Sequence, residues 1–188
     1  MSNDKLRDYT TELFNYNKHL LSAVRSQKSS DVVKNTKAVS LLNDIDISLT
    51  NQLNTLESFD GLLNESKMDQ FRENAARVLG TIAGSIGTIR EDAVSKIMRD
   101  NYTALSMTAS GYTMLNTLAI ESKHDELANF AADSLERMAQ LITETSKVLP
   151  FVVADELTDN MEEANRIGEQ SMKETQLAWK PEHLFEGE

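Results

Sequence analysis

The chain contains no cysteine, only two prolines and only seven glycines among its 188 residues. The lack of cysteine excludes disulfides and thiolate metal sites. Because proline and glycine interrupt helices more strongly than any other residues, their scarcity favours long helices. A chain of this length corresponds to about one domain, which can bury a core without covalent cross-links.

Positive charge is also scarce, with 19 Lys and Arg against 30 Asp and Glu and a net charge of -11. Nucleic acids and anionic membranes are bound through positive surfaces, so we predict neither as a partner. The most apolar stretch, residues 78–89, has 12 residues, whereas a membrane span needs about 20. The first residues are polar and carry no apolar secretion signal, so we expect a cytoplasmic protein.

Apolar residues recur at intervals of three and four along four long segments, which is the spacing of one helical face. The four apolar stripes are Leu6, Tyr9, Leu13, Tyr16, Leu20 and Val24; Ala38, Leu42, Ile45, Leu49, Leu53 and Leu56; Val94, Met98, Leu105, Ala109, Tyr112, Leu115 and Ala119; and Leu127, Ala131, Leu135, Met138, Ile142 and Leu149. We therefore predict an all-α protein with long helices over about 2–26, 31–58, 90–121 and 125–148.

The ends of these helices also carry signals. Ser30 or Asp31 is the predicted N-cap of the second helix, because short polar side chains accept hydrogen bonds from the first turn. Pro150 lies within the fourth stripe, where it removes a backbone donor and clashes with the preceding turn. We predict that it kinks or ends the fourth helix, and that a further short helix follows.

The order of the segments predicts a topology. Residues 59–89 form a connection of about 30 residues between the second and third long helices, which lets these two run parallel, whereas short turns produce antiparallel hairpins. We predict a ferritin-like antiparallel four-helix bundle with a helical crossover segment over residues 1–157. Residues 158–188 are predicted to form an acidic, partly helical tail that packs Trp179 onto the bundle.

Three short motifs favour structural interpretations over chemical ones. Glu121 and His124 form a single Glu-x-x-His at a predicted turn, so we expect a surface turn and no ligand. Asp44 and Asp46 begin like a calcium loop, but the central Gly and the closing Glu are missing, and a solvated helix surface is predicted. Residues 80–87 contain three glycines without a preceding strand, which favours close helix packing over a phosphate cradle. No nucleophile elbow is present, and we predict no catalytic residues.

Several stretches resemble the YciF-like stress proteins of the ferritin-like superfamily. They are LFNYNKHLLSAV (13–24), ASGYTMLNTLA (109–119), ESKHDELANFAADSLERMAQLI (121–142) and TSKVLPFVVADEL (145–157). The resemblance covers about residues 6–157. It implies a di-metal carboxylate site, which takes a Glu from each of two helices and a Glu-x-x-His pair from each of the other two.

The positions that this resemblance assigns to metal ligands carry other residues. They are Asn17, Ser48, Asn51, Leu105, Thr108 and Arg137. Residues 101–120 contain no Asp, Glu or His, so a shift of register within the third helix cannot supply ligands there. We predict that the metal site is lost, that no cofactor is bound, and that Asn, Thr and Ser side chains satisfy one another or a trapped water in the former cavity.

The predicted function is a non-enzymatic ferritin-like protein that acts through self-association or partner binding; the association with stress comes only from the resemblance. Leu41, Ile47 and Leu118 remain after one stripe per helix is assigned, and they predict a homodimer, although they could instead pack on the crossover and the tail. One alternative is a di-iron or di-manganese oxidase or iron-handling protein. Another is a helical interaction module whose acidic surface binds a basic partner in a salt-dependent way.

Overall fold

A computed structural model describes residues 2–59, 61–64, 67–68, 73–74, 77 and 93–179. The described residues form five α-helices and no strand, which confirms the all-α prediction. The helices are α1 (Ser2–Lys28), α2 (Thr36–Ser58), α3 (Val94–Glu121), α4 (Asp125–Leu157) and α5 (Met161–Ala178). None of the helices in this part of the chain combines the length and apolarity that a membrane crossing requires.

Two of the predicted features lie mainly outside the described residues. The glycine motif at 80–87 lies outside the described residues, as does most of the predicted crossover. Of the predicted tail, residues 180–188 also lie outside them, whereas α5 is helical and ends just before Trp179. Trp179 is 59% exposed and lies at the edge of a groove that α3, α4 and α5 share.

The N-cap of α2 is Asn35, four residues beyond the predicted Asp31. The Oδ1 atom of Asn35 accepts hydrogen bonds from the backbone N–H groups of Lys37 and Ala38 at 3.0 and 3.1 Å. Its Nδ2 atom donates to Asp155 near the end of α4. Asn35 therefore satisfies the first turn of α2 and also links α2 to α4, whereas Ser30 and Asp31 lie in the preceding turn.

The sequence predicted that Pro150 kinks or ends the fourth helix, and the second of these effects is wrong. α4 continues through Pro150 to Leu157 as one helix of 33 residues, and no separate short helix follows before α5. Proline removes a single backbone donor, and the residues after it are held by packing: Phe151, Val152 and Ala154 are all buried. The apolar contacts of this last part of α4 outweigh the cost of one missing hydrogen bond.

The core lies among the four long helices. α1 contacts α2 and α3, and α4 contacts α2 and α3. The largest fully buried side chains are Leu6, Leu20, Leu42, Ile45, Leu49, Leu56, Met98, Leu105, Tyr112, Leu115, Leu127 and Met138. α5 lies on the outside of α4 and buries only Ala164 and Gly168. The core is therefore built by α1–α4, and α5 is added to its surface.

The residues that predicted a dimer have different environments. Leu41 is buried in the core and Leu118 is half-buried against it, so both are already used within one chain. Only Ile47 is exposed, at 59%. The leftover apolar residues therefore do not define an interface.

An ion-pair network joins α1 to α2. Lys28 Nζ lies 2.6 Å from one carboxylate oxygen of Asp46, and Arg25 Nε lies 3.1 Å from the other. The hydrogen bond from Lys28, assisted by the one from Arg25, holds the pKa of Asp46 below its ordinary value. A carboxylate with a lowered pKa stabilises the folded state above its unfolded-state pKa and loses this effect as the pH falls.

We predict that Asp46→Asn lowers the unfolding free energy at pH 7 by about 0.2–1 kcal/mol, the range of exposed ion pairs. The difference from the wild type should shrink below about pH 4, where Asp46 becomes protonated in the unfolded chain and then in the folded one. Urea denaturation at pH 7, 5 and 3 measures this. A difference that stays constant across the three pH values would contradict the prediction.

Candidate functional site

A cluster of neutral polar side chains lies between the helices at the level where the resemblance implies metal ligands. Asn17 of α1 is fully buried, and its Nδ2 atom donates to the Tyr112 hydroxyl of α3 at 3.0 Å. Thr108, one turn before Tyr112, has its single hydroxyl hydrogen shared between Asn17 Oδ1 and the Ala104 carbonyl of its own helix, each 3.2 Å from Thr108 Oγ1. The two groups of the Asn17 amide are therefore both used.

The cluster continues into α4 and α2. The Tyr112 hydroxyl also shares a hydrogen bond with Ser134 of α4, and Gln52 Nε2 of α2 donates to the Ser134 carbonyl at 3.4 Å. We call Asn17, Gln52, Thr108, Tyr112 and Ser134 the central polar cluster. All five residues are buried, and each of the four long helices contributes at least one of them.

Tyr112 remains an uncharged phenol in this setting. Burial raises its pKa well above the ordinary value for tyrosine, and the hydrogen bonds from Ser134 and Asn17 offset only part of that rise. Burial raises the pKa of Tyr16 in the same way, and its hydroxyl donates to the Ala104 carbonyl at 3.3 Å. The central polar cluster therefore carries no charge at neutral pH, and it offers amide and hydroxyl groups in place of carboxylates.

The six predicted ligand positions fall into three environments. Asn17 and Thr108 belong to the central polar cluster, and Leu105 is fully buried one turn earlier on α3. Ser48 is also buried, and its Oγ atom accepts a hydrogen bond from Arg137 Nε at 2.8 Å. Asn51 is exposed. The structure thus joins Asn17 to Thr108 and Ser48 to Arg137, but it does not gather all six positions around one point.

Arg137 and Ser48 line a cleft of about 310 Å³ between α2 and α4, with Asn51 at its edge. Gln52 and Ser134 also line it and connect it to the central polar cluster. The Oε1 atom of Gln52 is buried and has no protein hydrogen-bond partner. A buried polar atom of this kind is commonly satisfied by an internal water molecule. Arg137 and Asp133 both line this cleft, so it carries one positive and one negative side chain.

The Glu-x-x-His pair lies at the turn between α3 and α4, away from the central polar cluster. His124 is the N-cap residue of α4, and its Nδ1 atom accepts a hydrogen bond from the Leu127 backbone at 3.3 Å. Its ring packs edge-on against Phe59, with 5.9 Å between the ring centroids. His124 is therefore a structural residue that caps α4, a role that the sequence prediction of a solvated turn did not include.

Within the described residues, no group of three or more His, Cys, Asp or Glu side chains is arranged to hold a metal ion. Tyr112 is buried, as its place in the predicted stripe of the third long helix implies, whereas Gln52 and Ser134 are members of the cluster that the sequence prediction missed. Gln52 and Ser134 each lie one residue away from an apolar stripe position, Leu53 and Leu135 respectively, so a polar residue adjoining a stripe was the only available signal.

Comparison of the chain with models of protein families, with curated proteins and with solved structures finds no match. What the chain does must therefore be inferred from its own residues and from the geometry of the central polar cluster.

Proposed function

We propose that this chain is a non-enzymatic protein of the ferritin-like type, in which neutral hydrogen bonds occupy the place of a di-metal site and which acts by self-association or partner binding. The observation that carries the proposal is the central polar cluster. A di-metal site requires carboxylates that offset the charge of two cations, whereas Asn17, Thr108 and Tyr112 are neutral and already bonded to one another.

The directions of the helices support a ferritin-like topology. Asn101 Nδ2, near the beginning of α3, donates a hydrogen bond to Gln27 Oε1, near the end of α1, at 2.8 Å. Leu13, nearer the start of α1, contacts Gly111, which lies farther along α3. Later residues of α1 therefore contact earlier residues of α3, so the two helices are antiparallel. Residues 29–35 connect α1 to α2 as a short loop, which favours an antiparallel hairpin.

The same reasoning applies to α2 and α4. Asn35 at the start of α2 contacts Asp155 near the end of α4, and Ser48 contacts Arg137. If α2 and α3 are both antiparallel to α1, they are parallel to each other. Two parallel helices that follow one another in the chain need a long crossover, and residues 59–93 are long enough to provide it. This is the arrangement that we propose for the bundle.

Metal binding tests the proposed function. The full chain is dialysed against Mn²⁺, and anaerobically against Fe²⁺, and the bound metal is then measured by mass spectrometry. We expect well below one ion per chain, because all five side chains of the central polar cluster are neutral. His124→Ala is the control for the Glu-x-x-His pair, since any weak surface binding there would disappear in this variant. Two ions per chain that persist in His124→Ala would contradict the proposal and favour the alternative of a di-metal oxidase.

A further inference from the structure

The outward face of α3 lacks charge over an unusual length. Charged residues make up 26% of the chain, so a stretch of 20 residues should contain about five, yet residues 101–120 contain none. The exposed residues of this stretch are Thr103, Met107, Ser110, Thr113, Met114, Thr117 and Ile120, and we call them the neutral face. Solvent-exposed helix surfaces normally carry charged side chains, so a neutral face on an acidic protein requires an explanation.

The hydroxyl groups of the neutral face need no partners from outside. Thr103, Ser110, Thr113 and Thr117 each donate to the backbone carbonyl four residues earlier in α3, at 3.0–3.1 Å. Another molecule can therefore cover these side chains without leaving their donors unsatisfied. In energetic terms, the neutral face behaves as a largely apolar surface.

A groove of about 510 Å³ runs between the neutral face and α1. Leu13 and Gly111 meet closely at the groove, and the exposed Met107 and Met114 border it. Tyr9 and Tyr16 of α1 also line it, and Glu12 is the charged residue among the described residues of its lining. Methionine is flexible enough to fill an irregular gap of this kind.

We infer that a second copy of this chain covers the neutral face, with α3 packing antiparallel on α3 across a two-fold axis near Ser110 and Gly111. This inference rests on the proposed role in self-association or partner binding and assigns it to a surface. Charge favours a second copy of the chain over a basic partner as the molecule that covers the neutral face. Two chains of net charge -11 repel each other except through an uncharged surface, while the described lining of the groove offers a basic partner one acidic side chain, Glu12.

The spacing of the methionines fits such a two-fold axis. Met107 and Met114 lie at equal distances on either side of the point between Ser110 and Gly111, about 5 Å along the helix at a rise of 1.5 Å per residue. In the antiparallel pair, Met107 of one copy therefore lies opposite Met114 of the other. Ser110, the small exposed residue at the centre of the neutral face, allows the helices to approach, and the same patch is used on both copies, as a two-fold interface requires.

Measurements of mass test the interface. We expect light scattering to give twice the chain mass of 21.0 kDa at micromolar concentrations. The double variant Met107→Glu/Met114→Glu should raise the dimer Kd by about 100-fold or more, since it places unpaired charges in the interface. Ile47→Glu/Leu157→Glu is the matched control, because these residues are more exposed and lie on α2 and α4. Circular dichroism checks that both variants remain helical.

Cross-linking gives a second test that does not depend on how the Glu variants fold. The chain has no cysteine, so Ser110→Cys introduces a single thiol beside the predicted axis, where the inferred packing brings the thiols of two copies together. Ser171→Cys on the exposed side of α5 is the control. We expect mild oxidation to cross-link Ser110→Cys rapidly and Ser171→Cys slowly.

A chain that is monomeric at all concentrations would overturn the inference, as would a dimer that survives the Met107→Glu/Met114→Glu change or equal cross-linking of the two Cys variants. These outcomes are separate from the metal measurement. A monomer without bound metal would remove the interface and leave the metal-free centre intact, whereas a dimer with two tightly bound ions would remove the proposed centre and leave the interface.

Discussion

Replacement of Leu105 by Ala should lower the unfolding free energy by about 2–5 kcal/mol, the range observed when a fully buried leucine is truncated. The Leu105 side chain has no exposed surface and lies one turn from Thr108 of the central polar cluster. The loss combines the transfer free energy of the removed methyl groups with the cost of the cavity that remains. Urea denaturation followed by circular dichroism measures the change.

Leu157→Ala is the matched control for this prediction. It makes the same chemical change at the end of α4, where the leucine is 74% exposed, and we expect a change within about 0.5 kcal/mol. Similar losses in the two variants would mean that Leu105 does not lie in a packed interior. Since Leu105 occupies a position that the resemblance assigns to a ligand, the comparison also tests whether apolar packing has taken that place.

Replacement of Gly168 by Ala should detach α5 from α4 and lower the unfolding free energy by about 1–3 kcal/mol, as overpacking of an interior does. A Cβ atom at Gly168 would lie 2.5 Å from Cδ1 of Phe151, 2.9 Å from Cγ and 3.0 Å from Cε1. All three ring atoms would therefore lie closer to the added Cβ atom than ordinary van der Waals contact. The ring also has Lys37 against it, with Nζ 4.5 Å from the ring centroid, so a shift of Phe151 disturbs a second contact.

Gly111→Ala is the matched control for Gly168→Ala. Its Cβ atom would lie 2.7 Å from Cδ1 of Leu13, but the next nearest atoms are 3.7 and 3.8 Å away, so a small change in the side-chain torsion angles of Leu13 relieves the contact. The gain in helix propensity, about 1 kcal/mol, should leave this variant near or above the wild-type stability. Hydrogen exchange in α5 and the fluorescence of Trp179, the only tryptophan, report the detachment. Unchanged exchange in α5 of Gly168→Ala would contradict the prediction.

Periodicity predicted α2 almost completely. All six residues of its predicted stripe, from Ala38 to Leu56, are buried. Among the described helices, α2 has extensive interfaces with α1 and α4, and Leu41, Ser48 and Gln52 are buried beside the stripe. For such a helix the repeat of apolar residues identifies the buried face directly.

The same reasoning was less accurate for α4. The predicted stripe included Leu135, Ile142 and Leu149, which are only partly buried, while Ser134 and Thr145 are buried. α4 contacts α2, α3 and α5, so it needs apolar residues over a wide part of its surface. Periodicity alone cannot separate the part that faces the core from the part that faces α5, and a polar residue in the core is recognised only when its partner is known.

Local chemistry in the sequence was enough to determine the helical class, the end of α2 at Ser58 and the starts of α1 and α4, because apolar spacing and the lack of helix-breaking residues act within one helix. Only the tertiary structure decided that α4 continues through Pro150, that Asn35 and His124 are helix caps, and that Asn17, Tyr112 and Ser134 meet. The course of α4 through Pro150 and the meeting of Asn17, Tyr112 and Ser134 depend on contacts between residues that are distant in the chain. The caps themselves are hydrogen bonds within three residues, and what the tertiary structure adds is the contact of Asn35 with Asp155 and of His124 with Phe59. Hydrogen bonds across four helices have no periodic signature, so the neutrality of the central polar cluster becomes visible only when the helices are assembled.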